Sequence, residues 1–389
     1  MTNVVRKVSL GPVRVRETAC AALDPRGARV ILGGSPGPAQ TPATPIAPAR
    51  DTLFGPRGMA VAADGSLWVA DTGHHRLLGW AQLPTADGIP ADWQLGQSDF
   101  GTEGRNGHGP VNATSLNVPT GVCVCGEGLA VADAWNHRVL IWHQPPRDGR
   151  PADLVLGQAG FDSALINRGA PLPAADSLYW PYGVYWDGAC LWVADTGNRR
   201  ILRWQGLPQA SGQPADLVLG QPDFFHRDEN AGRTGRASLR WPHALAHWRG
   251  SLCAADAGNN RVLLWQPPPL RNHAPASALL GQADEQGVDH NRGEYWPSAR
   301  SFNMPYGLAV HRGRLLVADT ANSRILRFDA APDAAAVAGQ AAFADKGDNR
   351  WRPPARDSLC WPYALTVHED TCLVADSGNN RVLLWDIAP

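Results

Sequence analysis

One twelve-residue pattern returns six times along this 389-residue chain, and that repetition restricts its fold more than any other feature. The copies are "VADTGHHRLLGW" (Val69–Trp80), "VADAWNHRVLIW" (Val131–Trp142), "VADTGNRRILRW" (Val193–Trp204), "AADAGNNRVLLW" (Ala254–Trp265), "VADTANSRILRF" (Val317–Phe328) and "VADSGNNRVLLW" (Val374–Trp385). Their aspartates, Asp71, Asp133, Asp195, Asp256, Asp319 and Asp376, stand 57 to 63 residues apart. Five positions after each comes an arginine: Arg76, Arg138, Arg200, Arg261, Arg324 and Arg381. A period of this size with four strand signals per unit predicts blades of a β-propeller. With 41 Gly, 33 Pro and 16 Trp, the composition suits many short strands joined by turns better than long helices.

The rest of the unit recurs too. A turn of the form Pro-x-Gly or Pro-x-Ala precedes each core and opens a short apolar strand: "PRGMAV", "PTGVCV", "PYGVYW", "PHALAH", "PYGLAV" and "PYALTV". After the core a Pro-rich bend leads to an outer strand ending in "QLGQ", "LVLGQ", "LVLGQ", "LLGQ" or "AVAGQ". Each blade therefore has strand a after the proline, b into Val-Ala-Asp, c from the arginine to the tryptophan, and d before Gly-Gln. The sixth copy lacks a strand d, and "RVILGG" (Arg29–Gly34) is expected to supply it from the N-terminus. That closure removes both sheet edges of an open ring. The expected architecture is all-β: a six-bladed β-propeller of four-stranded antiparallel blades over residues 28–389, with residues 1–27 as an extension of the closing blade.

Six copies of one Asp-Asn-Arg constellation are explained by folding better than by six equal sites. The aspartate is expected to accept backbone N–H groups of the tight b–c turn. The arginine is expected to pair with it, and the Asn three residues on, present in five of six copies, to take a left-handed turn position.

"NHRV" (Asn136–Val139) and "HHRL" (His74–Leu77), inside the wider pattern, resemble the repeat of the NHL family. The resemblance covers residues 28–389 and implies a six-bladed propeller. Its members include lyases, lactonase-like hydrolases, RNA binders and protein-interaction platforms, so it implies no single activity. The design is also similar to stand-alone bacterial accessory proteins encoded beside metalloenzymes such as hydrogenases.

The d-to-a connections are about 20 residues long, beyond the usual loop length, and belong on the same face as the b–c turns. Loops of this length on a rigid scaffold commonly carry binding residues. The residues following the recurring proline are Arg57, Thr120, Tyr182, His243, Tyr306 and Tyr363, a set expected at the channel mouth. With Trp296 and Trp351 in the loops they form the candidate set for a ligand or partner. Trp180, Trp241 and Trp361, just before the proline, are expected to staple the long loops to the next blade. For the tyrosines, stapling and ligand contact stay open.

Other chemistries find less support. His243, His247, His311 and His368 lie at different offsets from their prolines, which does not favour a three-histidine zinc site, and no metal or cofactor is expected. Cys123 and Cys125 lack a second pair at metal spacing and read as structural. No P-loop, dinucleotide fingerprint or nucleophile elbow stands in a fitting context. Formal net charge is −1, and acidic residues slightly outnumber basic ones in the long loops, so nucleic acid is not an expected partner. Seven scattered cysteines, with no apolar run of signal-peptide or membrane-spanning length, lead to the expectation of a cytoplasmic protein off the membrane. The reading is a non-catalytic platform binding a protein partner, or a small-molecule ligand, through the long-loop face. The alternative is a lyase or lactonase-like hydrolase acting at the channel mouth.

Overall fold

The computed structural model describes residues 19–33, 47–147 and 149–389. Gly34, at the end of the expected closing strand, and residues 1–18 of the extension lie outside them. Six antiparallel sheets form in the expected a-b-c-d order. In blade 3, strand a is Pro181–Trp186, b is Cys190–Asp195, c is Arg200–Gln205 and d is Leu217–Leu219. Strands a pack side by side around a central channel, and that of blade 6 (Pro362–His368) meets that of blade 1 (Gly58–Val61), closing the ring. Val30–Gly33 is strand d of blade 6, pairing antiparallel with Arg381–Asp386.

The extension behaves differently from expectation. Cys20–Ala21 adds a parallel fifth strand to blade 5, against Ala336–Val337, while Leu23 bridges to Ile387 of blade 6. The segment thus straddles two blades instead of widening the last one. Asp24 also supplies the carbonyl that receives the Trp385 indole N–H at 2.7 Å, as residues of the c–d bend do for Trp80, Trp142, Trp204 and Trp265. A buried indole requires such an acceptor. Blade 6 has no c–d bend of its own, so the N-terminal segment provides it.

The core is divided among the blade interfaces. Strands b and c are buried along most of their length, and their apolar side chains form clusters shared between neighbouring blades. Strands a need closer approach. A Cβ on Gly183 would lie 1.8 Å from the His243 carbonyl oxygen, and one on Gly58 lies 1.9 Å from that of Thr120. The glycine of Pro-x-Gly thus lets inner backbones meet at the channel. In blades 2 to 6 the pairing register slips immediately after the proline, a bulge that re-aims the following side chain. No helix among the described residues is long and apolar enough to cross a membrane.

Candidate functional site

The recurring polar constellation is structural, through contacts the sequence did not reveal. Asp195 Oδ1 accepts the N–H of Tyr179, two residues before the proline of its own blade, at 2.7 Å. Asp71, Asp133, Asp256, Asp319 and Asp376 treat Phe54, Asn117, Arg240, Asn303 and Cys360 in the same way. The backbone N–H that each aspartate accepts therefore belongs to the incoming long loop, not to the turn that follows it. Oδ2 accepts from Asn198 and Arg200, both at 2.8 Å. Arg200 donates onward to the carbonyls of Phe224, Ala174 and Ser177, joining two successive long loops. Burial pushes the Asp195 carboxyl above its ordinary value and Arg200 opposes that shift. Every partner of the carboxylate is a donor, so it is ionised in the neutral protein.

The Asn at the third position after the aspartate is also reassigned. Asn198 exchanges side-chain amide hydrogen bonds with Asn167, at 3.1 and 2.8 Å. Asn136 with Asn106, Asn259 with Asn230, Asn322 with Asn291, and Asn379 with Asn349 form the same pair. Each second member sits in a long loop, nine residues after the Gln that follows strand d in all five cases, a second repeat written in the sequence. The left-handed residue of the turn is the next one along: His75, His137, Arg199, Asn260, Ser323 and Asn380.

That position forms a clamp between blades. His75 Nδ1 accepts the N–H of Val118, and His137 Nδ1 that of Trp180, at 3.0 and 3.2 Å. Asn260 accepts from Met304, Ser323 from Trp361, and Asn380 from Gly55. All five donors precede the next blade's proline and have positive φ. Four of them are not glycine, a conformation sustained only by surrounding bonds. Burial lowers both His75 and His137 to about 4, so these imidazoles are neutral acceptors. Arg199 cannot accept a hydrogen bond. At the junction of blades 3 and 4 Trp241 does not take the positive-φ form, and Arg199 instead lines a cavity on the long-loop face.

This cavity is a funnel of about 1030 Å³ over the channel mouth. Its floor is built from residues that follow the recurring proline, bulged in all but blade 1. Tyr306 stacks on His243 with centroids 4.2 Å apart, Tyr182 lies 5.2 Å from His243 on its other flank, and Tyr363 lies 4.6 Å from Tyr306. The Arg57 guanidinium stands 4.9 Å from the Tyr363 ring centre. The same five residues line a second cavity of about 410 Å³ within the channel, so they form a plate between funnel and channel. Thr120 does not join them: its hydroxyl donates to the Tyr182 carbonyl at 2.9 Å, bonding blade 2 to blade 3. Blades 1, 3, 5 and 6 make a related bond from the residue after the aspartate, as Thr196 does to the Pro242 carbonyl, whereas blades 2 and 4 have Ala134 and Ala257 there.

The floor is electrically simple. Burial drives His243 down to about 4, Tyr306 up to about 12 and Tyr363 well above its ordinary value. Neutral His243 directs Nδ1 to the Trp241 carbonyl at 3.0 Å. A carbonyl only accepts, so Nδ1 carries the hydrogen and Nε2 is left as an acceptor. Arg57 is the one charge in the plate.

The walls correct the expected role of the tryptophans. Trp180, Trp241 and Trp361 are 37%, 40% and 42% exposed and line the funnel, so they are more than buried staples. Trp296 and Trp351 line neither funnel nor channel cavity. Trp351 is 80% exposed, and Trp296 lies beside Tyr295 and Lys346. His311 and His368 end their strands a, at the turn into strand b, and His311 pairs there with Asp370 at 2.7 Å. His247 and Cys123 line the channel, while Cys125 is in the core between blades 2 and 3. Among the described residues no three or more His, Cys, Asp or Glu side chains come together in a metal-binding group.

The NHL repeat family matches residues 55–80, 116–142 and 302–328, each running from the loop before the proline through strand c of blades 1, 2 and 5. The chain is an NHL-repeat β-propeller. The NHL repeat-containing protein 2 of Bos taurus is 28% identical over 188 residues, 43% of this chain. The match spans only 24% of that relative's length. Among solved structures, a protein of unknown function from Bacteroides thetaiotaomicron aligns over 92% of this propeller and 74% of its own chain, with TM-score 0.52 and 13% identity. A putative gluconolactonase aligns over 95% of this propeller and 97% of its own chain, with TM-score 0.51 and 14% identity. At such identities these two likenesses concern the fold alone.

Proposed function

We propose that this NHL propeller is a recognition platform that seats a segment of a protein partner in the funnel on its long-loop face. The observation that carries this reading is the half-exposed tryptophan wall, Trp180, Trp241 and Trp361, above a rigid plate of rings. Rigid aromatic groups around a concave site provide large contact area at small entropic cost. Apolar side chains of the long loops, Leu165, Ile166 and Phe225, are 58%, 42% and 59% exposed, as an interface rim would have them. Nothing in the site favours a metalloenzyme over another protein as the partner.

A photo-crosslinking residue in place of Trp241, used in native extract, tests the platform. One defined polypeptide should be captured, and Tyr306→Ala with Tyr363→Ala should abolish capture while the fold is retained. Unchanged capture in the double variant would remove the funnel from the binding surface.

A second reading, a lyase or lactonase-like hydrolase, draws on the His243 Nε2 acceptor beside the Tyr306 ring. Its test is turnover of a lactone panel by the purified chain, with loss in His243→Gln. Turnover insensitive to that substitution would dismiss it.

A further inference from the structure

We propose that the funnel selects an extended polypeptide segment bearing an acidic side chain, and that Arg57 is the floor guanidinium receiving its carboxylate. The inference rests on the platform reading and adds its chemical specificity.

Three observations converge on it. The funnel continues into a groove of about 710 Å³ that shares Tyr179 and Arg227 with it and is walled by Leu165, Ile166 and Pro171. Small-ligand pockets reach about 1000 Å³. A funnel of that size running on into a second cavity therefore fits a linear occupant better than a compact one.

Charge is the second. Among the described residues Arg57 has no carboxylate within ion-pair distance, and its recorded contacts are with Tyr363 and, through its backbone, Ala70. Arg199 donates from Nη1 to the Arg227 carbonyl at 3.0 Å, while its buried Nε has no partner. Of the two wall acids, Glu229 is already held by Arg240 at 3.1 Å. Three guanidiniums, Arg57, Arg199 and Arg227, thus face a cavity in which Asp228 is the acid outside any ion pair recorded among the described residues.

The third is the broken clamp. Five inter-blade junctions use the left-handed turn position to hold the next loop; His137, whose clamp is intact, lines the groove, and the junction at the funnel wall carries Arg199 instead of an acceptor. A basic residue replaces a structural acceptor at the junction an acidic segment would cross. Arg57 is partly buried against the Tyr363 ring, so its attraction for a carboxylate is screened less than that of a fully exposed charge. The folded plate also holds the guanidinium in place beforehand.

Affinity selection of hexapeptide pools, read by mass spectrometry, tests the proposal. One pool is C-terminally amidated and contains Asp and Glu; a second has free C-termini without them; a third is amidated and acid-free. Wild-type protein should retain peptides from the first pool, with at least a tenfold loss in Arg57→Gln and partial recovery in Arg57→Lys. Retention from the second pool alone would overturn the side-chain assignment in favour of a chain end. Equal retention from the acid-free pool, or undiminished binding by Arg57→Gln, would overturn acid selection and leave the platform standing. Failure to retain any peptide would overturn both. A melting temperature for each variant separates lost binding from lost fold, and Arg57→Lys remains informative if Arg57→Gln is unstable.

Discussion

At the scale of single residues, the same side-chain types do opposite work according to what surrounds them. Arg200 is fully buried, paired with Asp195 and spread over three loop carbonyls, whereas Arg199, one residue earlier, faces the funnel. Asp195→Ala should therefore cost about 3–5 kcal/mol, because it leaves Arg200 buried without a counter-charge and Tyr179 N–H without an acceptor. A drop in the denaturation midpoint with the funnel's binding otherwise intact is the expected result. Loss of binding at an unchanged midpoint would make the motif a site after all. The Asp and Arg positions were legible in the sequence because six copies align without gaps. The acceptor's true partner was not, since Tyr179 lies 16 residues upstream, beyond strands a and b, and offers a backbone N–H that its residue type does not mark.

At the scale of elements, the b–c turn is a clamp whose strength depends on one side chain. Arg199→Asn should restore the bond found at five other junctions and stabilise the protein by up to about 1 kcal/mol, one ordinary hydrogen bond. It should also weaken binding, and a calorimetric scan beside a binding titration would check both signs. The histidine clamps make stability depend on pH. His75 and His137 have folded values near 4, below the ordinary 6.5, so the unfolded chain takes up more protons between those values. Stability is therefore fully present above about pH 6.5 and falls as the pH drops towards 4. His137→Asn should keep the clamp and lose part of that slope, as melting temperatures between pH 4 and 7 would show. Aligning the six turns displays Arg199 as the one residue of its column unable to accept a hydrogen bond. What that column faces belongs to the next blade, and no local pattern encodes it.

At the scale of the whole molecule, stability rests on a closed ring whose last blade is completed by Val30–Gly33. Leu32, fully buried in the N-terminal strand, packs at the interface of blades 6 and 1. Leu32→Asp should detach that strand, lower the melting temperature steeply, and expose Arg381–Asp386 as an edge that promotes self-association. Gel filtration would detect the aggregates, and a monomer of unchanged stability would contradict closure by this strand. The sequence by itself determined the blade count, the strand order and this closure, because repetition, short apolar runs and turn chemistry are local properties summed six times. Only the tertiary structure decided that Arg57, Tyr182, His243, Tyr306 and Tyr363 meet in one plate while Thr120 turns away, and that Trp180, Trp241 and Trp361 face the cavity while Trp351 does not. Those choices depend on bulges and on bonds between neighbouring blades, which exist only once the ring has closed.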